Sequence, residues 1–299
     1  MDGTLDPQMG RETTVPRHPR PRRGLAAAAA SLLLLSACAT APRHQDAGDR
    51  LGHFRPAPTD PRVLVEPGAE VLGDRVSTLL PDTIAQVEAG HYQPFREPVR
   101  VYVCGTEACF DRLVPARLNL TAAVLYENRV VLAPRLFHRE PERLQPILAH
   151  ELSHLHFGQR AGHYSSGIPV WFHEGLASLT ARGGGADLVG DDEARRAASL
   201  GRHFRPEQDT DGVLRRNAEV WGLSMSVFYR QAMQFVAYLK GVSEERFRSF
   251  LLALQERQEF GGAFARAFEI ELGEAARQYF EGLRCSDCGA PPVQALQQR

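Results

Sequence analysis

Between residues 74 and 90 the apolar positions Val76, Leu79, Leu80, Ile84 and Val87 fall at helical spacing around Pro81, which predicts two short helices or one kinked helix. The stretch PVRVYVC then changes period: Val99, Val101 and Val103 alternate as in a strand. AAVLYENRVVLAP predicts two more strands, joined at Glu127-Asn128. Helical spacing returns at Leu144, Ile147, Leu148, Leu152 and Leu155, with Pro141 and Pro146 confined to the start and Gly158 suited to a C-terminal cap. A second helix is predicted for GIPVWFHEGLASLTAR, where Pro169 suits the first turn. Residues 182 to 216, rich in Gly, Asp and Arg, read as a long surface excursion able to serve as a lid over a cleft. From Ser224 onward, Phe228, Ala232, Phe235, Val236 and Leu239, then Phe247, Phe250, Leu251 and Leu254, then Phe264, Phe268, Ala276, Phe280 and Leu283 predict three or four helices. No internal repeat interrupts this order. The fold class is α+β, a small N-terminal mixed sheet with its helices followed by a helical C-terminal part.

Composition narrows the class. With 299 residues and 43% apolar side chains, the chain can build a sizeable core as one large domain or two small ones. Its 35 basic and 36 acidic residues leave a net charge of −1, so no global field recruits nucleic acid. Lys240 is the only lysine, a bias that carries no functional weight here.

The N-terminus carries a targeting pattern. Arg17, Arg20, Arg22 and Arg23 precede the apolar run Leu25 to Leu35, whose 11 residues are too few to span a bilayer but suit a signal peptide. Leu35-Ser36-Ala37-Cys38 resembles the lipobox of bacterial lipoproteins, which implies acylation of Cys38 and removal of residues 1–37. An ordinary secretory signal is the alternative, and Met9 is a second possible start. Ala39 after the cysteine favours, by the same resemblance, a lipid-anchored protein of the outer membrane facing the periplasm. Residues 38–62 then read as a tether, 63–288 as the folded domain and 289–299 as a tail. Export favours disulfides among Cys104, Cys109, Cys285 and Cys288, with long-range pairing preferred because it closes the largest loop. A structural zinc held by all four cysteines is the rival reading; a redox role for the C-terminal pair is disfavoured, since no strand-to-helix unit surrounds it.

His150-Glu151-Leu152-Ser153-His154 is an H-E-x-x-H, and on a helix its parts divide by angle. At about 100° per residue, His150 and His154 sit about 40° apart on one face, within reach of one ion. Glu151 falls about 100° from the first histidine and about 60° from the second, beside a metal rather than on it. Catalytic zinc usually takes a third protein ligand. A metzincin would place glycine at 157 and histidine at 160, where this chain has Phe157 and Arg160. Glu174 is available instead, with 19 residues between it and His154.

LAHELSHLHFG followed by IPVWFHEGLAS resembles the peptidase MA-like family of thermolysin-type zinc metallopeptidases, the gluzincins, and Gly175 and Trp171 fit that pattern. The resemblance spans roughly residues 63 to 283 and is sharpest at 147 to 178. It implies one Zn2+ held by His150, His154 and Glu174, with Glu151 as general base for hydrolysis of a peptide bond in a peptide or protein substrate. It also implies that the strand ending at Val131 or Leu132 is the sheet edge offered to an extended substrate, and that Tyr229 donates to the oxyanion, with Tyr164 and His203 as competitors. The family's prototype has an aspartate four residues after the glutamate ligand; Ser178 stands here, leaving a ligand histidine to find another acceptor. His156 and His173 are turned from the ligand face by helix phase, which fits surface positions or outer partners of the ligands, and His163 lies where it could line the cleft. The expectation is a zinc-dependent peptidase of the cell envelope. The alternatives are a non-catalytic envelope lipoprotein that binds a partner on the same scaffold, or a helical adaptor with an accidental motif; retention of Glu151 favours the first.

Overall fold

The computed structural model describes residues 51–114, 120–125, 129–162, 167–209 and 216–284. Five short strands form one mixed sheet: β1 (Arg55–Pro56), β2 (Val63–Val65), β3 (Arg100–Val103), β4 (Ala122–Leu125) and β5 (Arg129–Leu132), in the order β1-β2-β3-β5-β4. The three central strands β2, β3 and β5 are parallel, and β1 and β4 close the ends antiparallel. Alternation explains the two faces. Val101, Val103, Val130 and Leu132 point into one core, and Tyr102 and Val131 into another with Leu51, Phe54 and Phe110.

The first core is filled by α1 (Glu70–His91) and by α4 (Leu144–Ala161), which lays Leu148, Leu152 and Leu155 against the sheet. Two short helices, α2 (Glu107–Leu113) and α3 (Pro134–His138), flank the strands. The helix α1 runs unbroken through Pro81, although that residue removes the amide that would close on Ser77, because Val76, Leu80 and Val87 on both sides are fully buried. A third core belongs to the helices α5 (Val170–Thr180), α6 (Asp191–Ser199), α7 (Met225–Val242), α8 (Glu244–Gln255), α9 (Phe260–Phe268) and α10 (Leu272–Arg284). Trp171 lies at its centre, with ring contacts to Phe172, Phe204, Phe235 and Phe260, each buried side chain of this size contributing about 1.5–3 kcal/mol. Among the described residues no helix is long and apolar enough to cross a membrane.

Four expectations change. Residues 51–62, expected as the end of a tether, belong to the fold, since Leu51, Phe54 and Ala57 are buried and β1 pairs with β2. Their few apolar positions in a proline-rich stretch show no period. Residues 182–216 are not a surface excursion throughout, because α6 buries Ala194, Ala197 and Ala198 and Phe204 stacks on Trp171; residues 210–215 lie outside the described residues. Gly158 does not cap α4, which continues to Ala161 and stops at Gly162 with φ 99°. The preferred long-range disulfide is replaced by Cys104–Cys109, with Cα atoms 5.6 Å apart. Thr106 caps α2 by accepting from the Cys109 amide at 3.1 Å, and Glu66 accepts from the Gly105 and Thr106 amides, so the turn folds the two cysteines together. A loop this short constrains the unfolded chain less than the one expected. The pairing also takes both sulfurs from the four-cysteine zinc set, and from a convergence of Cys109 with His53 and Glu66; Cys38, Cys285 and Cys288 lie outside the described residues.

Candidate metal centre and active site

The helix α4 presents two faces of opposite character. Its rear is tied to the chain after α1: Ser153 Oγ lies 2.7 Å from His91 Nε2, His156 Nε2 donates to the Gln93 carbonyl at 2.8 Å, and Gln159 Oε1 accepts from the Arg96 and Glu97 amides. His156 is thus fully buried, not a surface residue, and stacks near His91 with ring centroids 4.3 Å apart. Burial holds His91 neutral well below the ordinary histidine range and lowers His156 to about 4, with the Gln93 bond opposing. Both folded-state values lie below the unfolded value of about 6.5, so their contribution to stability is complete above that pH and is lost as pH falls towards 4. In metal-free protein, the unfolding free energy measured by denaturant should fall by up to about 1.4 kcal/mol per pH unit per histidine below about pH 6.5. His156→Gln should flatten that slope by about one proton; an unchanged slope would refute the assignment.

The front face of α4 carries the motif. His150 Nε2 and His154 Nε2 lie 3.0 Å apart, and Glu174 Oε2 lies 3.4 Å from each. Glu174 reaches this point from α5, whose neighbour Gly175 allows close contact with α7: a Cβ there would sit 2.6 Å from the Ala232 carbonyl oxygen. Pro169 lies just before α5 rather than inside its first turn, and Asp209 supplies the missing cap, accepting from the Val170 amide at 3.1 Å. His150 Nδ1 lies 3.0 Å from the Gly184 carbonyl, which fixes the tautomer with Nδ1 protonated and the Nε2 lone pair aimed at the centre. Ser178 Oγ is more distant at 3.5 Å. The acceptor left open by the serine is therefore a backbone carbonyl from the turn after α5.

No family model, curated protein or solved structure matches this chain. The geometry alone must say what the site can hold. Two imidazole lone pairs facing each other at 3.0 Å repel unless a cation or a proton lies between them, and the third atom is an anionic oxygen. A tetrahedral zinc with bonds of about 2.0–2.1 Å separates its ligand atoms by about 3.3 Å, close to the 3.0 and 3.4 Å found here. The three residues fit zinc. Against the cost of burial, His154 and His150 hold the Glu174 carboxylate ionised, well below the usual range.

Glu151 stands beside the triad. Burial pushes its carboxyl up to about 7, His150 opposing and Glu174 adding to the rise, while the Val124 amide favours the charged form. Tyr229 completes the wall from α7, its ring stacked 6.3 Å from that of His150 and its hydroxyl directed at Glu174; burial first, then the Glu174 and Glu151 charges, raise it far above the ordinary tyrosine range. The competitor His203 stacks on Phe280 at 3.9 Å, outside the cleft; His163 and Tyr164 lie outside the described residues. His173 is buried against the Phe157 ring and borders the cleft without joining the triad.

These groups floor a cleft of about 750 Å3, within the range of small-ligand sites. Its other wall corrects an expectation. The strand ending at Leu132 is β5, which is interior, between β3 and β4; among the described strands the outer one on this side is β4, whose Ala122, Ala123 and Val124 line the cleft, with the Val124 amide donating to Glu151. In the sequence the two strands were indistinguishable, both being short apolar runs about one connection. Sequence reasoning also missed Gly184, Gly185 and Asp209. The triple glycine at 183–185 was the available signal, since consecutive glycines mark close backbone approach.

Proposed function

We propose that the chain is a zinc-dependent peptidase that hydrolyses extended polypeptide held against β4. The observation that carries this reading is the position of Glu151, a half-buried carboxylate beside a metal-fitting triad and facing the same cleft as the outer strand β4. A purely structural metal site needs the three ligands but not the carboxylate. The spacing of His150, His154 and Glu174, which resembles that of gluzincins, supports the same reading. Zinc, when bound, supplies Lewis acidity and a water acidified towards neutrality. Glu151 takes a proton from the attacking water and delivers it to the departing amine, a role suited to a carboxylate that stands beside the three ligand side chains and faces the cleft. Tyr229 donates its O–H to the developing oxyanion. β4 lends backbone hydrogen bonds that hold the substrate extended. The leader pattern ending at Cys38, which resembles a lipobox, supports a lipid-anchored position in the cell envelope for this activity.

The test is metal content by mass spectrometry, together with cleavage of an unfolded protein. The parent and Glu151→Gln should carry one zinc per chain, and Glu174→Ala should carry much less. Zinc that persists without Glu174, or a parent that binds none, would overturn the metal assignment; zinc without cleavage would leave partner binding as the better reading.

A further inference from the structure

The segment running from α3 into α4 places Arg135, Arg139 and Arg143 along one end of the cleft. Two of them are neutralised. Arg135 pairs with Glu107 and donates to the Leu120 carbonyl, and Arg143 pairs with Glu140 and with Asp187, the latter at 2.6 Å. Arg139 is exposed, borders the cleft, and has no side-chain hydrogen bond, ion pair or ring contact among the described residues. Among the described residues that line the cleft, Glu140 is the acidic one beyond Glu151 and Glu174, and it is already committed to Arg143. Formal charge at this end is even, three arginines against Glu107, Glu140 and Asp187, but Arg143 holds two of those carboxylates and the Arg139 guanidinium is left unengaged among the described residues. The cleft walls also hold two of the large apolar side chains left exposed, Leu120 at 41% and Leu188 at 67%.

We infer that Arg139 selects substrate: the peptide bound in the cleft carries a carboxylate on the α3 side of the scissile bond, alongside apolar side chains that cover Leu120 and Leu188. This deepens the peptidase reading and rests on it. A guanidinium recognises a carboxylate through paired N–H donors, and in a partly enclosed cleft that pairing is stronger than at an open surface. The carboxylate comes either from an Asp or Glu side chain or from the peptide's own C-terminus; the two sources share this chemistry and differ in the bond that is cut.

The experiment incubates the zinc-loaded full chain with synthetic peptides of randomised sequence, one set with free and one with amidated C-termini, and maps the cleaved bonds. Cleavage should be enriched about 5- to 20-fold for Asp or Glu at one fixed position, or for free C-termini at a fixed distance, amidation abolishing only the second. Arg139→Ala should erase the enrichment and Arg139→Glu should turn it towards Lys and Arg, with thermal melting unchanged in both. Cleavage with no acidic enrichment, or enrichment that survives both variants, overturns the role of Arg139 and leaves the peptidase reading intact. Failure of the zinc-loaded parent to cut any peptide overturns the peptidase reading and this inference with it.

Discussion

Glu151→Gln should retain one zinc per chain and lose about 10²- to 10⁴-fold in turnover on any peptide the parent cleaves. The amide is nearly isosteric, so His150, His154 and Glu174 keep their places, but it cannot accept a proton. Burial raises this carboxyl to about 7 in the metal-free site, and a zinc ion beside it would pull it back towards the charged, proton-accepting form. The glutamine has no such form. Turnover measured beside metal content separates the roles: loss of both would mean that Glu151 supports the metal instead of the chemistry.

Gly185→Ala should weaken zinc binding by about 10- to 100-fold without unfolding the chain. Gly185 has φ +82°, a conformation that L side chains rarely adopt, and a Cβ there would fall 2.5 Å from His150 Nδ1. The imidazole must tilt, and the Nδ1 bond to the Gly184 carbonyl that aims Nε2 is lost. Gly190 is the control, because a Cβ there meets nothing within 4 Å and its φ of −74° is ordinary. Titration against a competing chelator gives the comparison, and equal affinities for Gly185→Ala and Gly190→Ala would show that the turn does not position the histidine.

The local pattern carried much of this architecture. The apolar spacing around His150 and His154 announces a helix with one polar seam, and the alternation at Val101 and Val103 announces a strand. Glu174 was legible because its helix is equally periodic, although only tertiary packing of α5 on α7 brings it to the two histidines. What the sequence concealed depends on how segments meet. No local signal says that β4 is the outer strand, since β4 and β5 are equally short and apolar. The tie between His91 and Ser153 joins residues 62 positions apart, and the Asp209 cap on Val170 joins residues 39 apart. The Cys104–Cys109 pairing misled for the opposite reason: a local turn won over a long-range closure that loop entropy alone had favoured.

If the chain is the peptidase proposed above, the outer position of β4 also bears on which proteins are vulnerable. Main-chain pairing along Ala122–Leu125 asks a target for a short length of extended backbone whose own N–H and C=O groups are unspent. A helix or an inner strand of a native protein has none to offer until that region opens. Proteins with loose loops or damaged folds would therefore be cut first, and for a well-folded protein the rate would follow the fraction of time its segment spends open. Selectivity of this kind depends on the condition of the target as much as on its sequence.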